Sequence, residues 1–175
     1  EFHITYKYKE FETGTKKEEI LAYTNKFDNK DGFIILLPFD KFDGLNYLKG
    51  NLSLKDIDGF TYKSMGYAMA GNLSYLPATP KAVAMFLEKN KGLESKNVVI
   101  ANRTELIGLP LSSYLAKKGA TVSVINSKTK NPKEYIKNSD IFISAIGKAS
   151  YYDRSYFNDG QLIVDVGTSV VNGKI

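Results

Sequence analysis

A chain of 175 residues, 43% hydrophobic and 25% charged, can bury one substantial core or two small ones; it has no run near the roughly 18 apolar residues a membrane helix needs. Zero cysteines exclude disulfides, thiolate catalysis and thiolate-held metals, and the single histidine, His3, leaves no histidine-based zinc site. The net charge is +5 with His3 neutral, yet all the Lys and Arg residues other than Arg103 and Arg154 are lysines, spread over many segments and adjacent only at Lys16-Lys17 and Lys117-Lys118; that fits a solvated surface better than a nucleic-acid face.

Phe2-His3-Ile4-Thr5-Tyr6-Lys7-Tyr8 alternates like a strand. Thr15-Lys16-Lys17-Glu18 has the form of a capping box and predicts a helix from Lys16 to about Lys26. After the turn Asn29-Lys30-Asp31-Gly32, the apolar run Phe33-Ile34-Ile35-Leu36-Leu37 suits a strand buried on both faces of a parallel sheet, ended by Pro38. A helix is expected near Lys41–Lys49 and a loop through Lys55-Asp56-Ile57-Asp58-Gly59-Phe60. Thr79-Pro80 reads as N-cap and N1 proline of a helix to about Asn90, long enough to connect two lobes.

From Asn97 the pattern becomes regular. Strands are expected at Val98–Ala101, Thr121–Ile125, Ile141–Ser144 and Leu162–Val166, with a helix from Leu106 to Lys118 and a short one after Pro132. Short apolar strands alternating with helices signal a doubly wound parallel sheet. The chain opens without methionine and stops at Gly173-Lys174-Ile175 without a closing helix, so further terminal segments are expected. The charged N-terminus carries no signal-peptide core, and an intracellular, cytoplasmic setting is expected.

Four groups of residues could carry chemistry. Ala101-Asn102-Arg103-Thr104-Glu105-Leu106-Ile107-Gly108 is the first strand-to-helix turn of the regular half, the place where a nucleotide-binding sheet receives pyrophosphate. Of the usual glycines only Gly108 is present, so an ordinary loop is equally compatible. At the end of the next strand an NAD enzyme places an acid for the ribose; Asn126-Ser127-Lys128-Thr129-Lys130 has none. Its hydroxyls and lysines, with Arg103 on the neighbouring loop, suit a 2′-phosphate and favour NADP, the lesser alternative being a basic surface loop. Ser144-Ala145-Ile146-Gly147 and Asp165-Val166-Gly167-Thr168 end two strands in small residues that a ribose or nicotinamide could approach. Asp56 and Asp58, followed by Gly59, are either an acidic site or turn formers. Tyr114-x-x-x-Lys118 imitates the Tyr/Lys pair of short-chain dehydrogenases but lies in the wrong helix for it, so we read it as coincidence.

Several segments, in order, resemble the bifunctional methylenetetrahydrofolate dehydrogenase/cyclohydrolases, the FolD family. Asp31-Gly32-Phe33-Ile34-Ile35-Leu36-Leu37-Pro38 is similar to its D-G-I-L-V-Q-L-P, Lys55-Asp56-Ile57-Asp58-Gly59-Phe60 to K-D-V-D-G-F, and Leu76-Pro77-Ala78-Thr79-Pro80 to P-C-T-P. Asn102-Arg103-Thr104-Glu105-Leu106-Ile107-Gly108-Leu109-Pro110 resembles G-R-S-x-I-V-G-K-P, Gly119-Ala120-Thr121-Val122 matches G-A-T-V, and Asn126-Ser127-Lys128-Thr129 stands where H-S-x-T stands. Asp140 to Gly147, and Val164-Asp165-Val166-Gly167 with Asn172-Gly173-Lys174, complete the series.

The resemblance implies an α/β protein of two lobes: a folate-binding and catalytic lobe over residues 1–80, and a Rossmann-like NADP domain over 81–175, with folate in the cleft. It implies that Asp58 binds the pteridine end of folate, that Asn102, Arg103 and Thr104 bind the NADP phosphate and ribose, that Ser127 lies near the 2′-phosphate, and that Thr168 lies near the nicotinamide half. It implies tetrahydrofolate derivatives as substrates and a homodimer, while the composition leads us to expect no metal and no nucleic-acid or membrane partner. The family's glutamine in V-Q-L-P is Leu36 here, its first glycine in G-R-S is Asn102, its cysteine in P-C-T-P is Ala78, and the proline after its A-x-G turn is Ala149. Asparagine at 102 is expected to tolerate an unusual backbone angle. The family's Tyr-x-x-x-Lys motif, with the catalytic lysine, would precede Glu1, and its folate-closing segment would follow Ile175. The activity implied is NADP-dependent oxidation of 5,10-methylenetetrahydrofolate followed by hydrolysis to 10-formyltetrahydrofolate. The alternative, prompted by Leu36 and the termini, is a relative that binds NADP or folate without turnover; an amino-acid-type dehydrogenase of similar plan is disfavoured by Asp56-Ile57-Asp58-Gly59 and Pro77-Ala78-Thr79-Pro80.

Overall fold

A computed structural model of the protein describes residues 4–28, 30–37, 42–90 and 92–168. The chain divides into two compact units, Glu1–Ile57 and Asp58–Ile175. His3, Pro38 and Asn172-Gly173-Lys174 lie outside the described residues.

The first unit departs from its sequence pattern in several places, among them Lys55–Asp56, which is a short strand where a loop is expected because it pairs with Gly32–Phe33. Ile4–Tyr8 forms no strand and is exposed. The first helix, α1 (Lys17–Thr24), starts after Lys16, which gives no side-chain cap. The Thr15 hydroxyl instead donates to the Glu12 carbonyl at 2.8 Å, and its N–H bonds the same oxygen at 3.0 Å; the local turn has outcompeted the capping box. Of the run from Phe33 to Leu37, only Phe33 joins a strand: β1 (Gly32–Phe33) pairs in parallel with β2 (Lys55–Asp56). Ile34 and Leu36 are 57% and 68% exposed, because this two-residue ladder is the run's sole pairing among the described residues. Between these strands α2 (Leu45–Asn51) buries Leu48 and sets Tyr47 against α1, with Lys17 Nζ 5.2 Å from the Tyr47 ring.

The second unit follows its pattern closely. After α3 (Tyr62–Met69), a turn of 3-10 helix (Leu73–Tyr75) and α4 (Ala78–Asn90) come β3 (Asn97–Ala101), α5 (Gly108–Lys117), β4 (Thr121–Val124), α6 (Pro132–Lys137), β5 (Ile141–Ser144) and β6 (Leu162–Asp165). The four strands make one parallel sheet in the order β4-β3-β5-β6, with Val99 beside Phe142 and Phe142 beside Ile163. The central strands are apolar on both faces because both are covered. Val98, Ile100, Ile141 and Ile143 pack with Val83 and Leu87 of α4 and Leu111 and Leu115 of α5. Val99, Ala101 and Phe142 pack on the other face with Ile125 and Ile136. Tyr152 and Phe157 close that face, their ring centroids 5.0 and 5.6 Å from that of Phe142. Each fully buried aliphatic side chain contributes about 2 kcal/mol.

From sequence the lobes are expected to meet at residue 80; the compact units divide at Ile57 and Asp58 instead. The cause is packing: Val83, Ala84 and Leu87 place α4 in the core of the second unit. The α3 end is tied to α5 as well, with Ser113 Oγ donating to the Met69 carbonyl at 2.6 Å and Lys117 to the Ala70 carbonyl.

Candidate cofactor-binding site

Because all four strands are parallel, their C-terminal ends share one edge. The chain leaves β3 for β4 on one side and later returns to β5 on the other, so the gap between the ends of β3 and β5 is the switch point where such sheets bind ligands.

The β3–α5 turn is organised by one side chain. The Asn102 carboxamide oxygen accepts from the Thr104 N–H at 2.8 Å, the Thr104 hydroxyl at 2.8 Å and the Gly108 N–H at 3.0 Å. Its nitrogen donates to the Ala145 carbonyl, just past β5, at 2.8 Å. Among the described residues, those other than glycine at positive φ are Ser95, Asn131 and Ser150; Asn102 holds the loop through its side chain rather than by an unusual backbone angle, contrary to expectation. Gly108 is required by close approach, since a Cβ there would stand 1.8 Å from the Asn102 carbonyl oxygen. Helix α5 consequently starts at Gly108, two residues later than the pattern suggests. Arg103, next to this knot, is exposed and its side chain carries no ion pair or hydrogen bond among the described residues.

At the end of the neighbouring β4, Asn126 N–H bonds Thr129 Oγ1 at 2.9 Å and Lys128 N–H bonds Asn126 Oδ1 at 3.0 Å. This tight turn presents Ser127 and Lys128 at its exposed tip. Past β5 and β6 the backbones run against each other: a Cβ on Gly167 would stand 2.4 Å from the Ile146 carbonyl oxygen, and Val166 N–H bonds the Ser144 carbonyl at 2.8 Å. Thr168 follows, exposed. Thus Asn102, Arg103, Thr104, Ser127 and Thr168 all lie on the C-terminal edge of the sheet.

Asp58 is elsewhere in the second unit. Its Oδ1 accepts from the N–H of Ala78, the first residue of α4, at 3.4 Å, so two of the segments that resemble family motifs meet here. A carboxylate at a helix N-terminus is favourably placed. The expected N-cap role of Thr79 does not arise, because α4 opens one residue before it and Lys81 N–H already bonds the Pro77 carbonyl at 2.9 Å. Asp56 lies in β2 of the first unit.

Tyr114 and Lys118 serve packing. The buried Tyr114 hydroxyl donates to Glu88 Oε1 at 2.8 Å, and Lys118 Nζ lies 3.0 Å from the same oxygen, joining α5 to α4. Burial, then the Glu88 bond, pushes the Tyr114 hydroxyl up. The Lys118 and Tyr114 hydrogen bonds hold the Glu88 carboxyl below its ordinary value. Among the described residues no group of His, Asp and Glu could hold a metal, and no helix is long and apolar enough to cross a membrane. What sequence reasoning missed is the tie from Asn102 to Ala145, which joins residues 43 positions apart.

The family model described as "Tetrahydrofolate dehydrogenase/cyclohydrolase, NAD(P)-binding domain" matches residues 77–175. The bifunctional protein FolD of Clostridium beijerinckii is 37% identical over 163 residues, which span 90% of this chain and 58% of that protein. Among solved structures, the bifunctional FolD methylenetetrahydrofolate dehydrogenase/cyclohydrolase of Campylobacter jejuni superposes with a TM-score of 0.82 at 32% identity, covering 93% of this chain and 60% of that one. The bifunctional 5,10-methylenetetrahydrofolate dehydrogenase/cyclohydrolase of Thermoplasma acidophilum gives 0.80 at 28% identity, covering 95% and 61%. The chain thus spans about three fifths of the length of these relatives. With the switch-point edge built from the segments that resemble family motifs, and the family model matching over most of the second unit, the chain belongs to the tetrahydrofolate dehydrogenase/cyclohydrolase family.

Proposed function

We propose that the chain is the cofactor-binding portion, with part of the folate-handling portion, of an enzyme that oxidises 5,10-methylenetetrahydrofolate with NADP and hydrolyses the resulting methenyl group to 10-formyltetrahydrofolate. The observation that carries this reading is the exposed Arg103 at the end of β3, without a side-chain partner among the described residues, with the acid-free Ser127-Lys128 tip at the end of the adjacent β4. A guanidinium, a hydroxyl and an ammonium suit a 2′-phosphate, which a carboxylate at that place would repel. Gly167, which has no room for a side chain beside the Ile146 carbonyl, leaves backbone alone at that point for a dinucleotide to approach.

In this reading Arg103 and Thr104, with Asn102 in the same turn, address the phosphates and ribose. Ser127 donates to the 2′-phosphate, Thr168 flanks the nicotinamide half and Asp58 accepts from the pteridine end of folate. Bound NADP supplies the hydride acceptor; the chain's own part is to align the two rings so that the transfer distance is short. Tetrahydrofolate derivatives as substrates, a homodimer and a cytoplasmic setting belong to the same reading, by family.

Titration of the full chain with NADPH and with NADH, followed by ligand fluorescence, tests it. NADPH is expected to bind at least about tenfold more tightly; equal affinity, or binding of neither, would overturn the assignment. Leu36, apolar where the family has glutamine, favours a second reading, binding without turnover. Oxidation of 5,10-methylenetetrahydrofolate by the same chain would eliminate it.

A further inference from the structure

In a nucleotide-binding sheet the helix after the first strand usually offers free N–H groups to a phosphate. Here those of α5 are already used. Gly108 N–H goes to Asn102 Oδ1 at 3.0 Å, Leu109 N–H to the Thr104 carbonyl at 3.1 Å, Pro110 has none, and Leu111 N–H bonds the Ile107 carbonyl at 3.2 Å. The oxygen that fills the place of an anion is uncharged and belongs to the protein. The same side chain spans the switch point, because its nitrogen holds the Ala145 carbonyl beyond β5. Arg103 is the residue immediately after it, and among the described residues its guanidinium has no hydrogen bond or ion pair.

We propose that Asn102 is a positioning residue: its carboxamide closes the N-terminus of α5 and straps the β3–α5 turn to the end of β5, so that a dinucleotide phosphate is met by the Arg103 side chain and not by helix amides. This rests on the NADP reading above. Four hydrogen bonds at one carboxamide hold the turn before any ligand arrives, so the backbone that carries Arg103 is already ordered and less freedom is lost on binding.

A double-mutant cycle on the full chain, read as NADPH affinity, tests the coupling. N102A should weaken NADPH about tenfold in the wild-type background and less than about twofold when combined with R103A. A residue that merely supports the fold would cost the same in both backgrounds, and that outcome would overturn the proposal, as would unchanged affinity in N102A. Amide exchange in the ligand-free protein tests the strap apart from the cofactor. The Thr104 and Gly108 amides should be protected in the wild type and exchange at least about tenfold faster in N102A. Unprotected amides in the wild type would refute the strap, even if N102A does not fold. Failure of the wild type to bind NADPH at all would instead refute the cofactor reading, leaving the amides to decide whether the strap exists.

Discussion

The Tyr114 hydroxyl donates to Glu88 Oε1 at 2.8 Å across the α4–α5 contact, and the tyrosine ring beneath it is fully buried. The ring belongs to the hydrophobic cluster against β3 and β5, so the hydroxyl is the one polar feature on an otherwise apolar residue. Tyr114→Phe keeps the packing and removes the hydrogen bond. Glu88 retains Lys118 and solvent, so no buried group is orphaned. The expected cost is about 1 kcal/mol, or a fall of about 3 °C in Tm. An unchanged melting temperature would show that the bond contributes nothing net.

The same triad predicts an acid limb in stability. The Lys118 hydrogen bond, then that of Tyr114, holds the native Glu88 carboxyl below its ordinary value, so the unfolded chain binds more protons at intermediate acidity. This contribution is complete above the unfolded value, about 4.3, and is lost as pH falls through the lower native value. Because Glu88 is about a third exposed (34%), solvent screening keeps the effect small. Thermal melts of Glu88→Gln across this range should show a shallower acid decline than the wild type. Parallel curves would remove Glu88 from the account.

How much of this was legible depends on where each bond partner lies along the chain. Val98–Ala101 and Ile141–Ser144 can be placed to within a residue because a strand covered on both faces must be apolar throughout. Phe33–Leu37 carries the same signal, yet only Phe33 joins a ladder; an apolar run shows what a segment can bury and does not say what covers it. Thr15 has the capping-box spacing, but an equally local bond to Glu12 takes its hydroxyl. At the site, the motif segments identify which residues gather at the strand ends. They give no hint that the departure at Asn102 is itself a construction, because Ala145 is 43 residues away.

Phe142 anchors the second face of the sheet. It is 1% exposed, and the rings of Tyr152 and Phe157 rest on it. Those residues belong to the long β5–β6 connection, which crosses that face. Phe142→Ala should therefore lower stability by about 3–5 kcal/mol and loosen that connection. Urea unfolding would show a lower midpoint at nearly constant slope, and limited proteolysis would cut first between Tyr151 and Asn158. A loss below about 1 kcal/mol would mean that the face closes without this ring.

Arg103→Ala separates the two dinucleotides. The guanidinium is exposed and has no partner among the described residues, so its removal should leave the melting temperature within about 1 °C. A charge-assisted hydrogen bond to phosphate is worth about 2 kcal/mol, which is roughly thirtyfold in affinity. If Arg103 addresses the 2′-phosphate, NADPH should lose about that factor, whereas NADH, which lacks this group, should lose about threefold or less. Parallel titrations of wild type and variant with both ligands decide the matter. Equal losses would move Arg103 to the shared diphosphate and leave selectivity to the Ser127-Lys128 tip, and no loss for either would take Arg103 out of the cofactor site.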